Sequence, residues 1–120
     1  MPEISYTRVN DNTPVLVGCA QLTDKRGVEG YNYLEILTEV SKKALIDCEA
    51  SKDFRQEIDT VGVIRFVADT PQRDSATSDL WGYPNMPRSL ARSLGFNAKN
   101  EIYTTTGGNS PQIAINELAN

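Results

Sequence analysis

Residues 103–111 (YTTTGGNSP) have the composition of a strand that ends in a tight turn and continues directly into a helix. Tyr103 and the three threonines after it are aromatic or β-branched, which favours a strand. Gly107 and Gly108 suit a turn, and Pro111 suits the first turn of a helix. Because a helix N-terminus presents unpaired N–H groups and a partial positive charge, the backbone amides of the two glycines could hold an anion. We favour the alternative, in which the glycines serve only the geometry of the turn.

Two polar side chains beside the glycines, Asn109 and Ser110, are weak candidates for a catalytic role. Ser110 is the only hydroxyl at the start of the predicted helix, but a serine nucleophile needs a general base, and the chain contains no histidine. We therefore favour a helix cap as the role of Ser110 or of Asn109.

Thiols and carboxylates elsewhere in the chain give no second site. Cys19 lies in an apolar run and Cys48 near the end of an amphipathic segment, so we expect both to be buried thiols rather than nucleophiles or a disulfide. Four aspartates lack the spacing of metal ligands, and we interpret them as solvated charges: Asp59, Asp69, Asp74 and Asp79. We expect no metal site.

Composition excludes several classes of protein. The chain has 120 residues, a net charge of −4 and 39% hydrophobic residues, which is typical of one soluble globular domain. An acidic balance argues against nucleic acid as a partner. No apolar run approaches the ~20 residues that span a bilayer, and the first residues have no signal-peptide pattern. We expect no membrane partner and a cytoplasmic location.

Periodicity and turn residues divide the chain into alternating strands and helices. A polar, flexible lead-in, residues 1–13, precedes the folded part, residues 14–120. The predicted elements are strand 15–22, helix 32–49, strand 58–67, helix 86–94, strand 101–106 and helix 110–119. The first strand is a continuous apolar run, which suits burial on both faces. This order predicts an α/β fold, βαβαβα, with mainly parallel strands.

Local signals mark the helix ends and faces. Asn32 with Glu35 three residues later predicts a capping box for the first helix. Asn85 predicts the start of the second helix and Gly95 its end. Inward faces are predicted for Met86, Leu90, Ala91 and Leu94 in the second helix, and for Ala114, Ile115, Leu118 and Ala119 in the third.

The region between the second strand and the second helix leaves two alternatives open. The composition of residues 69–83 predicts a long polar loop, in which Trp81 and Tyr83 could anchor a subunit interface or pack under the loop. Arg88 and Arg92 lie one turn apart on the second helix, where they could meet an anionic ligand or form a solvated face.

From about Pro14 onward, the chain resembles the N-terminal part of thiolase-fold proteins, and most closely the sterol-carrier-type thiolase-like group often labelled acetyl-CoA acetyltransferase. Three pieces carry the resemblance: PVLVGCAQ at 14–21, IDTVGV at 58–63 with PRSLARSLG at 87–95, and TTTGGNSPQ at 104–112. The third piece resembles the strand-to-helix turn that bears the nucleophilic cysteine in active members.

The resemblance implies an N-terminal fragment that ends in or after the third helix of the first α/β half of such a protein. In the family pattern Cys-x-x-Gly, Gly107 takes the cysteine position, Gly108 and Asn109 the next two, and Ser110 the glycine position. A glycine cannot form the acyl-thioester of the reaction. The histidine-bearing motifs of active members are also missing from this chain.

Two functions follow from the resemblance. The first is a segment of an acyltransferase in lipid metabolism that acts on acyl-CoA, the coenzyme A ester being a substrate and not a permanently bound cofactor. The second is a thiolase-fold protein that binds CoA esters or protein partners without turnover. By resemblance, the full-length protein is expected to be a homodimer.

Overall fold

The computed structural model describes residues 8–66 and 85–120. In this part of the chain there are three α-helices, two β-strands and two short 3₁₀ turns, Gly27–Glu29 and Arg55–Glu57. In chain order the helices and strands are α1 (Tyr33–Asp47), β1 (Thr60–Val63), α2 (Met86–Leu94), β2 (Asn100–Tyr103) and α3 (Ser110–Ala119).

The two strands pair in parallel, with Thr60 opposite Asn100 and Val63 opposite Tyr103. A further bond from Thr104 N–H to the carbonyl of Val63 (3.2 Å) extends the pairing by one residue. Parallel strands need a crossover connection, and α2 supplies it because it lies between β1 and β2 in the chain. The predicted α/β class with parallel strands is therefore confirmed. Both strands are shorter than predicted, and the end of the predicted 58–67 strand lies outside the described residues.

The prediction of a strand over residues 15–22 is wrong for this structure. The segment has no strand assignment, and Val15, Leu16 and Val17 are 72%, 85% and 64% exposed. Its apolar run suits a strand between two neighbours, but no described strand pairs with its backbone. Hydrophobic pattern alone does not make a strand, because the N–H and C=O groups also need a ladder partner.

Helix starts and stops follow the local signals. Asn32 accepts a hydrogen bond from Glu35 N–H (2.9 Å) and Glu35 accepts one from Asn32 N–H (2.8 Å), which is the predicted capping box. Asn85 caps α2 by accepting from Arg88 N–H (3.0 Å). Gly95 ends α2 in the left-handed conformation, with φ +85°.

The core forms around α2. Its predicted inward residues are buried together with one strand residue and one loop residue: Val63, Met86, Leu90, Ala91, Leu94 and Phe96. A hydrogen bond of 2.7 Å between the hydroxyls of Thr38 and Ser93 joins α1 to α2. The predicted inward face of α3 is only partly correct. Ala114 is buried, and the Leu118 side chain lies over Gly62 of β1 although it is 51% exposed. Ile115 is 61% exposed and Ala119 is exposed too.

Two thiols lie in less buried positions than predicted. Cys19 is exposed, because its segment is not inside a sheet, and Cys48 is half-buried. Cys48 Sγ donates to the carbonyl of Ala44 at 3.4 Å, within α1 and its cap. Among the described residues, no helix is long and apolar enough to cross a membrane. The predictions for Trp81, Tyr83, Asp69, Asp74 and Asp79 concern residues outside the described ranges.

Candidate functional site

The segment between β2 and α3, residues 104–109, together with the first helical residue Ser110, is called the junction below. It leaves the sheet where the parallel strands end, and it enters α3 with Pro111 in the first helical turn. The predicted strand–turn–helix course is thus confirmed. The carboxyl ends of parallel strands are the edge at which α/β proteins usually bind ligands, so the junction is the candidate site.

Neither glycine of the junction is required by the backbone. Positive φ values occur only at Gly27 and Gly95 among the described glycines, so Gly107 and Gly108 have dihedrals open to other residues. A Cβ on Gly107 would lie 3.0 Å from Asn109 Oδ1 and 3.7 Å from Ser110 Oγ, whereas a Cβ on Gly108 would meet no atom within 4 Å. The alternative that turn geometry alone demands these glycines is therefore not supported. A Cβ at either position fits with at most a small shift of the Asn109 side chain.

Ser110 is a structural anchor in this arrangement. Its side chain is completely buried, and its hydroxyl donates to the carbonyl of Thr105 at 2.5 Å. Its backbone N–H donates to the carbonyl of Gly107 at 3.1 Å. A hydroxyl that donates its proton to an amide carbonyl is not paired with a base that could activate it.

The expected side-chain cap of the third helix does not form. Asn109 occupies the N-cap position, but its side chain makes no capping hydrogen bond, and Ser110 is already the first helical residue. Asn109 has φ −89° and ψ −5°, helix-like dihedrals rather than the extended ones from which an Asn side chain usually reaches back to the helix N–H groups.

The backbone amides of the turn are the groups that could contact a ligand. Within the described residues, the N–H groups of Gly107, Gly108 and Asn109 donate to no acceptor. All three residues are exposed. Such N–H groups at the start of a helix carry partial positive charge and favour an anion or a polarised carbonyl oxygen. The anion-binding role of Gly107 and Gly108 stays a prediction.

A residue that follows the other strand also contacts the junction, and the sequence did not predict this contact. Arg65 lies two residues after β1. Its backbone N–H donates to Thr104 Oγ1 (3.1 Å) and its Nε donates to the carbonyl of Thr104 (3.1 Å). Its guanidinium also lies 4.0 Å from the ring centroid of Tyr103, close enough for a cation–π interaction. No local pattern links residues 65 and 104, which only the parallel register brings together.

The arginine pair of α2 lies elsewhere. Arg88 Nε donates to Glu101 Oε1 at 2.9 Å, and Asn85 donates to the same carboxylate at 2.8 Å. These two hydrogen bonds, the arginine's first, lower the pKa of Glu101 below its usual value. Because Arg88 already pairs with a carboxylate, the solvated-face interpretation suits it better than a free anion site. Among the described residues, no group of three or more potential metal ligands comes together.

Comparison with known proteins identifies the fold. No protein-family model matches the sequence, and no curated protein matches it. A solved structure that is similar is the monomeric SCP2-thiolase-like protein type 1 from Mycobacterium smegmatis, with a TM-score of 0.71 and 33% sequence identity. The match covers 93% of this chain and 21% of that one, so the chain spans about a fifth of the length of that protein.

The chain thus has a thiolase-like α/β fold, which confirms the fold that the resemblance implied. The similar mycobacterial protein is described as monomeric, whereas we expected a homodimer for this one. The association state of this protein stays a prediction.

Proposed function

We propose that this protein is a thiolase-like protein that binds acyl-CoA esters, with the thioester end of the ligand at the junction. The observation that carries the proposal is the position of the exposed Gly107–Gly108 amides, at the start of α3 and the carboxyl end of β2 in a thiolase-like fold. An acyl-CoA presents a carbonyl oxygen, and backbone N–H groups are the donors that bind such an oxygen.

Binding without turnover is the form of this function that the geometry supports best. A covalent acyl intermediate needs a nucleophile. Gly107 offers none, and the Ser110 hydroxyl is buried and donates to Thr105. Neither thiol is at the junction: Cys48 belongs to the end of α1, and the backbone N–H of Cys19 donates to the carboxylate of Asp47 at 2.9 Å.

Acyl transfer is the second candidate function. One observation favours it: the backbone at Gly107 accepts a Cβ with only a small shift of Asn109. The junction therefore has a shape in which a side-chain nucleophile could be carried at the N-terminus of a helix. In the acyltransferase version, other parts of the full-length protein supply the reacting groups, and the amides of the junction stabilise the developing oxyanion.

Calorimetric titration of the full-length protein with acetyl-CoA, a medium-chain acyl-CoA and free coenzyme A tests binding. Both esters should bind more tightly than free coenzyme A. Gly108→Leu should weaken ester binding at least about tenfold, because its side chain would occupy the open space beside the Gly107–Gly108 amides. Ile115→Leu, an exposed site within α3, is the matched control and should bind like the wild type. Equal binding by Gly108→Leu and the control would reject the junction as the site.

Turnover separates the two candidates. Acyl transfer to and from coenzyme A is measured for the wild type, Ser110→Ala and Gly107→Cys. Ester binding with no transfer by the wild type supports the non-catalytic function. Transfer by the wild type that survives Ser110→Ala supports the acyltransferase, with its nucleophile outside the junction. Transfer that is lost in Ser110→Ala while ester binding and stability stay at the wild-type level would contradict a purely anchoring role of Ser110.

A further inference from the structure

The junction is held from two sides by side chains that do not belong to its exposed turn. On one side is Arg65, which follows β1, and on the other is Ser110, which begins α3. Both act on consecutive peptide groups: Arg65 Nε donates to the carbonyl of Thr104, and Ser110 Oγ donates to the carbonyl of Thr105. These bonds fix the course of the chain immediately before the exposed amides.

Thr104 is the residue through which Arg65 acts. Its side chain is buried at 6% exposure. Its hydroxyl accepts from Arg65 N–H (3.1 Å) and donates to the carbonyl of Thr105 (3.0 Å). The hydroxyl thus continues the interstrand contact beyond the last backbone bond of the sheet, from Thr104 N–H to Val63. The hydroxyl thus acts as both acceptor and donor: it accepts from Arg65, which follows β1, and donates to Thr105, which follows β2.

We propose that Arg65 is a positioning residue of the junction, which acts through Thr104 to orient the amides of Gly107 and Gly108. Its guanidinium, supported by the ring of Tyr103, fixes the Thr104 carbonyl. The backbone N–H of Arg65 holds the Thr104 hydroxyl, which donates to the Thr105 carbonyl, and Ser110 holds that carbonyl from the other side. Pre-organised amides bind a carbonyl oxygen or an oxyanion without paying for reorientation. The inference rests on the proposed function for its biological meaning, but its test does not use a CoA ester.

A thiol introduced at the turn reports on those amides. In a Cys19→Ser, Cys48→Ser background, Gly107→Cys places a thiol at the start of α3, and Ile115→Cys places an exposed one in the middle of the same helix. Iodoacetamide alkylation rates between pH 5 and 10 give the pKa of each thiol. A thiol at a helix N-terminus has a pKa below the ordinary value of about 8.5. We expect the Gly107→Cys thiol to titrate at least about one pH unit below the Ile115→Cys thiol.

Three substitutions in the Gly107→Cys background then separate positioning from simple charge. Arg65→Met removes both the charge and the hydrogen bond to the Thr104 carbonyl. Thr104→Val keeps the Arg65 charge but removes the relaying hydroxyl, and Thr104→Ser restores that hydroxyl. We expect Arg65→Met and Thr104→Val each to remove most of the pKa difference, with alkylation at pH 6 slowed about tenfold. Thr104→Ser should retain the wild-type rate, and Arg92→Met, an exposed arginine of α2, should have no effect.

The alkylation rates of these variants test whether Arg65 positions the junction. A slower reaction in Arg65→Met but not in Thr104→Val would overturn the part that the Thr104 hydroxyl plays, because Arg65→Met removes the charge and the carbonyl hydrogen bond together. A Gly107→Cys thiol with an ordinary pKa would overturn the positioning role itself. An unchanged far-UV circular dichroism spectrum in each background shows that the helices are still folded. If Arg65→Met does not fold, the Thr104→Val and Thr104→Ser pair decides alone. If the wild type fails to bind acyl-CoA while the thiol responses occur, the proposed function falls and the positioning role stands.

Discussion

The Ser110 hydroxyl and the Thr105 carbonyl oxygen lie 2.5 Å apart, so the first residue of α3 is tied to the second residue after β2. This bond closes the junction into a loop whose ends are both fixed, because the Thr104 N–H donates to the carbonyl of Val63. The hydroxyl has no solvent-exposed surface. Ser110 therefore sets the shape of the turn, and the exposed groups of the turn are backbone amides.

Ser110→Ala should destabilise the protein by about 1 kcal/mol, because a buried hydrogen bond is lost. The loss of stability should not be larger, because the Thr105 carbonyl keeps a second donor, the Thr104 hydroxyl at 3.0 Å, and is not left unsatisfied. Equilibrium unfolding in urea measures the difference. Ser51→Ala, at an exposed position, is the control and should stay within about 0.5 kcal/mol of the wild type. Equal stabilities of the two variants would mean that the hydroxyl does not hold the junction.

Gly95 and Gly108 should respond oppositely to alanine. Gly95 has φ +85° at the end of α2, a conformation that costs an alanine about 1–2 kcal/mol. Gly108 lies outside the left-handed region, and a Cβ there meets nothing within 4 Å. Gly108→Ala should therefore be neutral or stabilising by up to about 1 kcal/mol, because alanine restricts the unfolded chain. Thermal and urea unfolding of both variants test this. A loss of stability in Gly108→Ala larger than that in Gly95→Ala would show that glycine is needed at the turn.

The elements that the sequence predicted well are those with local signals. The Asn32–Glu35 capping box, the Asn85 cap and the Gly95 stop all depend on residues within one turn of each other, and the structure has all three. The course of the junction was also predictable from local signals, since its turn residues lie between a β-favouring run and a proline. Local hydrogen bonds and dihedral preferences decide such features, and a single sequence contains both.

The features that the sequence did not predict depend on distant partners. Residues 15–22 have the composition of a buried strand, but a strand also needs a neighbour, and composition cannot supply one. The contact between Arg65 and Thr104 spans 39 residues and follows from the parallel register. The apolar spacing in α3 predicted an inward Ile115, although only Ala114 in that turn faces the core. Tertiary packing selects among the faces that a helix offers.

Asn32 and Asn109 occupy the same capping position in two helices but should differ in their effect on stability. Asn32 accepts a hydrogen bond from Glu35 N–H at 2.9 Å, whereas the Asn109 side chain makes no capping bond. Asn32→Ala should cost about 1 kcal/mol, and Asn109→Ala should cost less than about 0.5 kcal/mol. Urea unfolding followed by far-UV circular dichroism measures both. A comparable loss for Asn109→Ala would indicate that its side chain caps α3 in solution.

Asp24 should make the stability of the protein sensitive to acid. Its carboxylate accepts hydrogen bonds from Arg26 Nε (2.9 Å) and Nη2 (3.0 Å), and from the backbone N–H of Tyr31 (2.7 Å). The side-chain bond to Arg26, followed by the backbone bonds, lowers the pKa of Asp24 well below its usual range. In the unfolded chain the pKa returns to about 3.9. The stabilisation is therefore complete above about pH 4 and is lost as the pH falls toward the lower pKa of the folded state.

The measurement for Asp24 is the thermal midpoint between pH 6 and pH 2. The wild type should lose stability steeply below pH 4, whereas Asp24→Asn should begin at a lower midpoint at pH 6 and fall less steeply, because its side chain does not titrate. Asp11→Asn, an exposed substitution near the start of the chain, should keep the wild-type slope. A wild-type slope in Asp24→Asn would mean that the carboxylate is not charged and bound in the folded protein.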